Sequence, residues 1–120
     1  MKKKIIVVEN DVAILEIVTT LLTDEGYDVM PLNNEDTIFE EIEQFEPHII
    51  LLDIIRPTEK GTLICRTLKA DDKTKHIPVI VLSTYSQMAE TIKKVCADEV
   101  VPKPFDICEL LDAIESQLSA

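Results

Sequence analysis

The chain has two glycines, no tryptophan, three cysteines and only twelve basic residues in 120 positions, and each scarcity closes off a class of protein. Apolar runs such as Ile49 to Leu52 stop after four residues. That is far below the ~20 needed to cross a bilayer, and Met1 to Lys4 leads straight into a strand pattern instead of a secretory leader. The expectation is a soluble, cytoplasmic protein with no membrane partner. Cys65, Cys96 and Cys108 make an odd count with no CxxC spacing. This speaks against a disulfide framework or a zinc knuckle and predicts reduced, mostly buried thiols. Twelve Lys and Arg against 23 Asp and Glu leave a net charge of −11. Phosphate backbones are held by clustered cations, so this balance predicts no nucleic-acid partner and favours basic or neutral protein surfaces. Most of the acids read as a solvated face.

What is present is alternation. Ile5 to Val8 reads as a strand, and Asp11 can cap a helix to about Asp24 that keeps Leu15, Val18 and Leu22 on one side, with Gly26 as its stop. Tyr27 to Leu32 is a second strand whose Pro31 lacks an N–H and so belongs at a sheet edge. Asn33 or Asn34 can cap a second helix carrying Ile38, Ile42 and Phe45, ended by Pro47. The run Ile49 to Leu52 then reads as a strand buried on both faces, closing on Asp53. Thr62 to about Asp71 gives a third helix, Val79 to Leu82 a fourth strand, and Ser86 onward a fourth helix with Met88, Ile92, Val95 and Cys96 on one side. Glu99 to Val101 is a short strand ended by Pro102, and Asp106 caps a last helix with Ile107, Leu110, Leu111, Ile114 and Leu118 in a stripe. Five strands alternating with five helices predict a doubly wound parallel α/β sheet in one domain over 1–120, with no attached output domain. Prolines in strands two and five make these the edges, which selects the flavodoxin-like order 2-1-3-4-5.

That order gathers distant residues at the carboxyl ends of the strands, the rim where open α/β sheets bind ligands. Glu9, Asn10 and Asp11 follow strand one, Asp53 ends strand three, Ser83 and Thr84 end strand four, and Lys103 follows strand five. Oxygen donors without His or Cys suit a hard cation, and one or two carboxylates with open positions suit Mg²⁺ that keeps several waters. Beside a cation and Lys103, Asp53 could attack a phosphoryl group in line while Ser83 donates to one of its oxygens. His48 and His76 stand before strands, at the opposite rim, and read as surface residues.

The acidic turn after strand one, Asp53 with Pro57 and Gly61 behind it, Ser83, and Lys103 with Pro104 and Phe105 together resemble a response-regulator receiver domain, CheY-like, of two-component signalling. The likeness covers nearly the whole chain. It implies that Asp53 is the phosphoacceptor and that Ser83 and Lys103 hold phosphoryl oxygens. It further implies that Mg²⁺ is held by Glu9, Asn10, Asp53 and the backbone carbonyl of Ile55, and that the bond between Lys103 and Pro104 is cis. The donor it implies is a histidine kinase or phosphotransfer protein, the output is protein contact, and the domain is a monomer or weak dimer.

Two positions depart from the family pattern. Receivers usually carry two adjacent acids after strand one, and here the pair is Glu9 and Asn10, so one charge near the metal is missing. Glu9 could reach the ion directly or act through water. Val100 stands where receivers usually place an aromatic residue that reports phosphorylation. Ile55 and Tyr85 would flank the water path to a phosphoaspartate, which predicts slow self-hydrolysis. The alternative function is a pseudo-receiver, a binding module whose weakened metal site leaves it unphosphorylated. An aspartyl phosphatase is disfavoured because its second acid, two residues after the nucleophile, is here Ile55, and the protein is expected not to be an enzyme beyond its own phosphorylation and dephosphorylation. Flavin binding is disfavoured because Glu9 and Asp11 would repel its phosphate and glycine is scarce.

Overall fold

The structure, a computed structural model, describes residues 2–54, 60–83, 97–102 and 106–119. Five strands, β1 (Lys4–Val8), β2 (Asp28–Leu32), β3 (Ile49–Ile54), β4 (Val79–Ser83) and β5 (Glu99–Pro102), form one sheet in the order β2-β1-β3-β4-β5. All four pairings are parallel. Four helices are described: α1 (Val12–Asp24), α2 (Ile38–Phe45), α3 (Lys60–Ala70) and α4 (Ile107–Ser119). The further helix expected from Ser86 lies outside the described residues.

The sheet carries a core on each face, sorted by the two-residue period of its strands. Ile6, Val8, Ile50, Leu52, Val79 and Val81 pack toward Ile38 and Ile42 of α2 and Ile64 and Leu68 of α3. Their neighbours Ile5, Val7, Ile49, Leu51, Ile80 and Leu82 pack toward Leu15, Val18 and Leu22 of α1 and Leu110 and Ile114 of α4. Ile49, Ile50 and Leu51 are 0% exposed and Leu52 1%, as a strand covered on both faces requires. Each such side chain contributes roughly 1.5–3 kcal/mol by leaving water.

Local chemistry sets the helix ends. One carboxylate oxygen of Asp11 accepts from the amides of Ala13 (2.9 Å) and Ile14 (3.2 Å), which caps α1. At the other end Gly26, at φ +97°, lets its own amide bond Thr23 O (3.0 Å) and that of Tyr27 bond Leu22 O (3.2 Å), a Schellman closure. The second helix differs from expectation. It starts after Thr37, which makes no side-chain cap, because Asn34 instead accepts from Asp36 N (2.9 Å) in a turn of its own. The third helix begins at Lys60, two residues before the expected Thr62, so Gly61 lies in its first turn.

The cysteines also differ from expectation. Cys65, fully buried on α3, is disulfide-bonded and not a reduced thiol. Spacing along the chain says nothing about which thiols a fold brings together. Cys108 is free and exposed, because the apolar stripe of α4 turns it outward, and Cys96 lies outside the described residues. No helix among the described residues is long and apolar enough to cross a membrane.

Candidate functional site

The ladder register assembles one end of the sheet. Val8 pairs with Leu52, which sets the next residues, Glu9 and Asp53, side by side at this end. Asp53 in turn pairs with Leu82 and Ile54 with Ser83, and Ser83 pairs with Pro102. Glu9, Asp53 and the Ser83 backbone therefore share the carboxyl rim, and the residue after Pro102 is Lys103. Of the expected site, Ile55, Thr84, Tyr85, Lys103, Pro104 and Phe105 lie outside the described residues, as does Pro57.

The two acids differ in setting. Glu9 is 1% exposed, its amide extends the sheet by donating to Leu32 O (3.0 Å), and its Oε1 takes the amide of Asp11 at 3.4 Å. A carboxylate kept this dry is costly unless it is paired, which fits a role beside cations. Asn10 is exposed and Asp53 half-buried. Asp11 spends one oxygen on the α1 cap, the structural role weighed for it from the sequence. Among the described residues no three His, Cys, Asp or Glu side chains are grouped to hold a metal ion.

The opposite rim is different in kind. His48 and His76 are both exposed there, lining a cavity of about 570 Å³ with Phe39, Ile42 and Ile77. The Nδ1 atom of His48 accepts from Lys4 N (2.9 Å) while its own amide donates to Lys4 O (2.8 Å), which continues the β1–β3 pairing by one step. Lys69 ties the same rim together, donating to Ile77 O (2.9 Å) and pairing with Asp98, which accepts from Val79 N (2.8 Å). These are fold contacts far from Asp53.

A doubly wound sheet with order 2-1-3-4-5 and an acid at the end of its central strand defines a class of α/β domains that bind at this rim. Within that class the assignment is specific: residues 5–115 match the response regulator receiver domain, and the chain belongs to that family. Phosphorylation and Mg²⁺ binding are general features of the family. The chain is 31% identical over 117 residues to the DNA-binding dual master transcriptional regulator RpaA of Synechocystis, covering 96% of this chain and 48% of that protein. Among solved structures it resembles a CheY-like response regulator receiver domain protein from Methanospirillum hungatei (TM-score 0.87, 26% identity, 99% and 95% of the two chains). It also resembles the BeF3-activated DrrB receiver domain (TM-score 0.84, 26% identity, 100% of both chains).

The first of these corrects the sequence reading of partners. The acid excess pointed away from nucleic acid, yet RpaA is by name DNA-binding. The chain spans about half the length of the curated relatives it matches. A charge balance drawn from 120 residues describes this domain's surface and does not carry to a protein twice as long, so the exclusion of nucleic acid does not stand.

Proposed function

We propose that this receiver accepts a phosphoryl group on Asp53 from a phosphohistidine donor and signals through contact with another protein. A carboxylate oxygen of Asp53 attacks phosphorus, the P–N bond to the donor imidazole breaks, and the imidazole leaves with the electron pair and takes up a proton. Glu9, Asn10, Asp53 and the backbone carbonyl of Ile55 would hold Mg²⁺. When bound, the ion neutralises charge on the phosphoryl oxygens during transfer. Ser83 would donate to one of those oxygens and Lys103 would pair with another. Ile55 and Tyr85 would screen the resulting acyl phosphate from water, which favours slow self-hydrolysis.

The observation that carries this reading is the register that brings Glu9, Asp53 and Ser83 to one end of the sheet. The likeness to a receiver activated by BeF3, a phosphoryl mimic, supports it. The test is intact mass after incubation with Mg²⁺ and acetyl phosphate. A gain of one phosphoryl group, absent in Asp53→Asn, is the expected result.

A second reading rests on Asn10: an amide brings no charge to the metal, and a receiver with too weak a site would act as an unphosphorylated binding module. Substituting Asn10→Asp separates the two. If the missing charge limits the reaction, the variant gains phosphoryl groups at Mg²⁺ concentrations where the wild type does not. If the buried Glu9 supplies enough charge, both proteins react alike.

A further inference from the structure

The cavity at the rim away from Asp53 measures about 570 Å³, within the roughly 300–1,000 Å³ of small-molecule sites. Its walls are held in place. On one side the connection from α3 to β4 closes on itself: the amides of Thr74 (3.0 Å) and Lys75 (2.8 Å) donate to Asp71 O, the Ile77 amide donates to Thr74 O (2.9 Å), and the Thr74 hydroxyl donates to Leu68 O (2.7 Å). On the other side His48 is tied to Lys4 through both its ring and its amide. A ligand would not have to order these walls, which lowers the cost of binding. The buried Ile42 and Ile77 make an apolar floor, and Phe39, 44% exposed, lines the cavity with them.

The charge around that floor is mostly of one sign. Helices α2 and α3 end at Phe45 and Ala70, next to the lining residues Glu46 and Asp71, and the carboxyl end of a helix carries partial negative charge. Glu43, Glu46 and Asp71 add three carboxylates, and α2 has no basic residue in its last turn. Lys4 already donates to Phe45 O (3.1 Å), a cation drawn to the end of α2. Among the described residues that line the cavity, Lys73 is the one Lys or Arg. Three carboxylates and two helix ends outweigh that single ammonium, so the complementary occupant is a cation. No three His, Cys, Asp or Glu side chains among the described residues are grouped to hold a metal ion, and an apolar floor offers nothing to a metal's waters. An organic cation satisfies both the floor and the charge.

We propose that this cavity binds a small aromatic amine. Its ring lies over Ile42 and Ile77 against Phe39, and its ammonium faces Glu43, Glu46 and Asp71. The cavity shares no residue with the rim of Asp53, so the inference stands apart from the fate of that side chain.

The test titrates the isotope-labelled protein with tryptamine and follows its backbone amide shifts. For a ligand of this size the expected Kd is about 1 mM. The shifts should concentrate in residues 39–48 and 71–77, which hold the lining. Glu43→Gln combined with Glu46→Gln should weaken binding about fivefold and Phe39→Ala about threefold, whereas Lys73→Gln, which removes the competing ammonium, should tighten it about twofold. Glu40→Gln, on α2 but outside the lining, should leave it unchanged, as a control for loss of an acid in general. Indole-3-propionate, the same ring on a carboxylate, should not shift these amides. The proposal is overturned if tryptamine gives no shift up to about 20 mM. It is equally overturned if indole-3-propionate binds as well, which would make the cavity an apolar crevice without charge selection, or if putrescine binds more tightly at the same amides, which would make the ring irrelevant.

Discussion

Asp11 stands one residue from Asn10 and two from Glu9, yet its carboxylate is committed to the first free amides of α1. Replacing it with Ala should cost about 1 kcal/mol in denaturant unfolding and leave Mg²⁺ affinity within about twofold. A large loss of affinity with unchanged stability would make it a ligand instead. Cys108 is exposed, and the charge of Asp106, above all, raises its thiol above the ordinary value. Less thiolate is present at neutral pH, so alkylation should be slow there and rise on the alkaline side, and Asp106→Asn should speed it at pH 7. Tyr27 is also raised from its ordinary 10.0, first by burial and then by Glu115 and Glu25. The folded state therefore keeps this proton where the unfolded chain has lost it. Stability should fall as pH climbs above 10, and Tyr27→Phe should remove that part of the decline in base titrations.

At the scale of the element, the strands were the most legible feature of the sequence. Four apolar residues in a row before Asp53 can only be satisfied by cover on both faces, and Pro31 and Pro102 mark strands that the fold indeed places at the two edges. From those edges the strand order followed, and with it the neighbours of Asp53. Helix starts were less legible, because Asn33 and Asn34 offer capping oxygens that nearby turns also use. The disulfide at Cys65 was not legible at all, since pairing depends on distance in space. Two substitutions check the packing argument. Leu52→Ala, at a site 1% exposed, should cost about 2–5 kcal/mol and unfold at markedly lower denaturant. Gly26→Ala meets no steric contact but forces an L residue to φ +97°, and should cost about 1–2 kcal/mol.

For the whole molecule, a charge of −11 means that the folded surface repels itself. Added monovalent salt, up to a few tenths molar, should raise the unfolding midpoint, whereas a flat response would mean that local pairing already cancels the repulsion. The same acid excess misled the sequence reading about nucleic acid, because partner choice in longer relatives is not set by this domain's charge. What the whole fold does for the proposed site is to carry Glu9, Asp53 and Ser83, far apart in sequence, to one rim. The most direct test phosphorylates the protein with a small donor and Mg²⁺, reduces the acyl phosphate with borohydride, and maps the product by tandem mass spectrometry. The account predicts homoserine at position 53 and nowhere else; modification at another carboxylate, or none at any Mg²⁺ concentration, would contradict it.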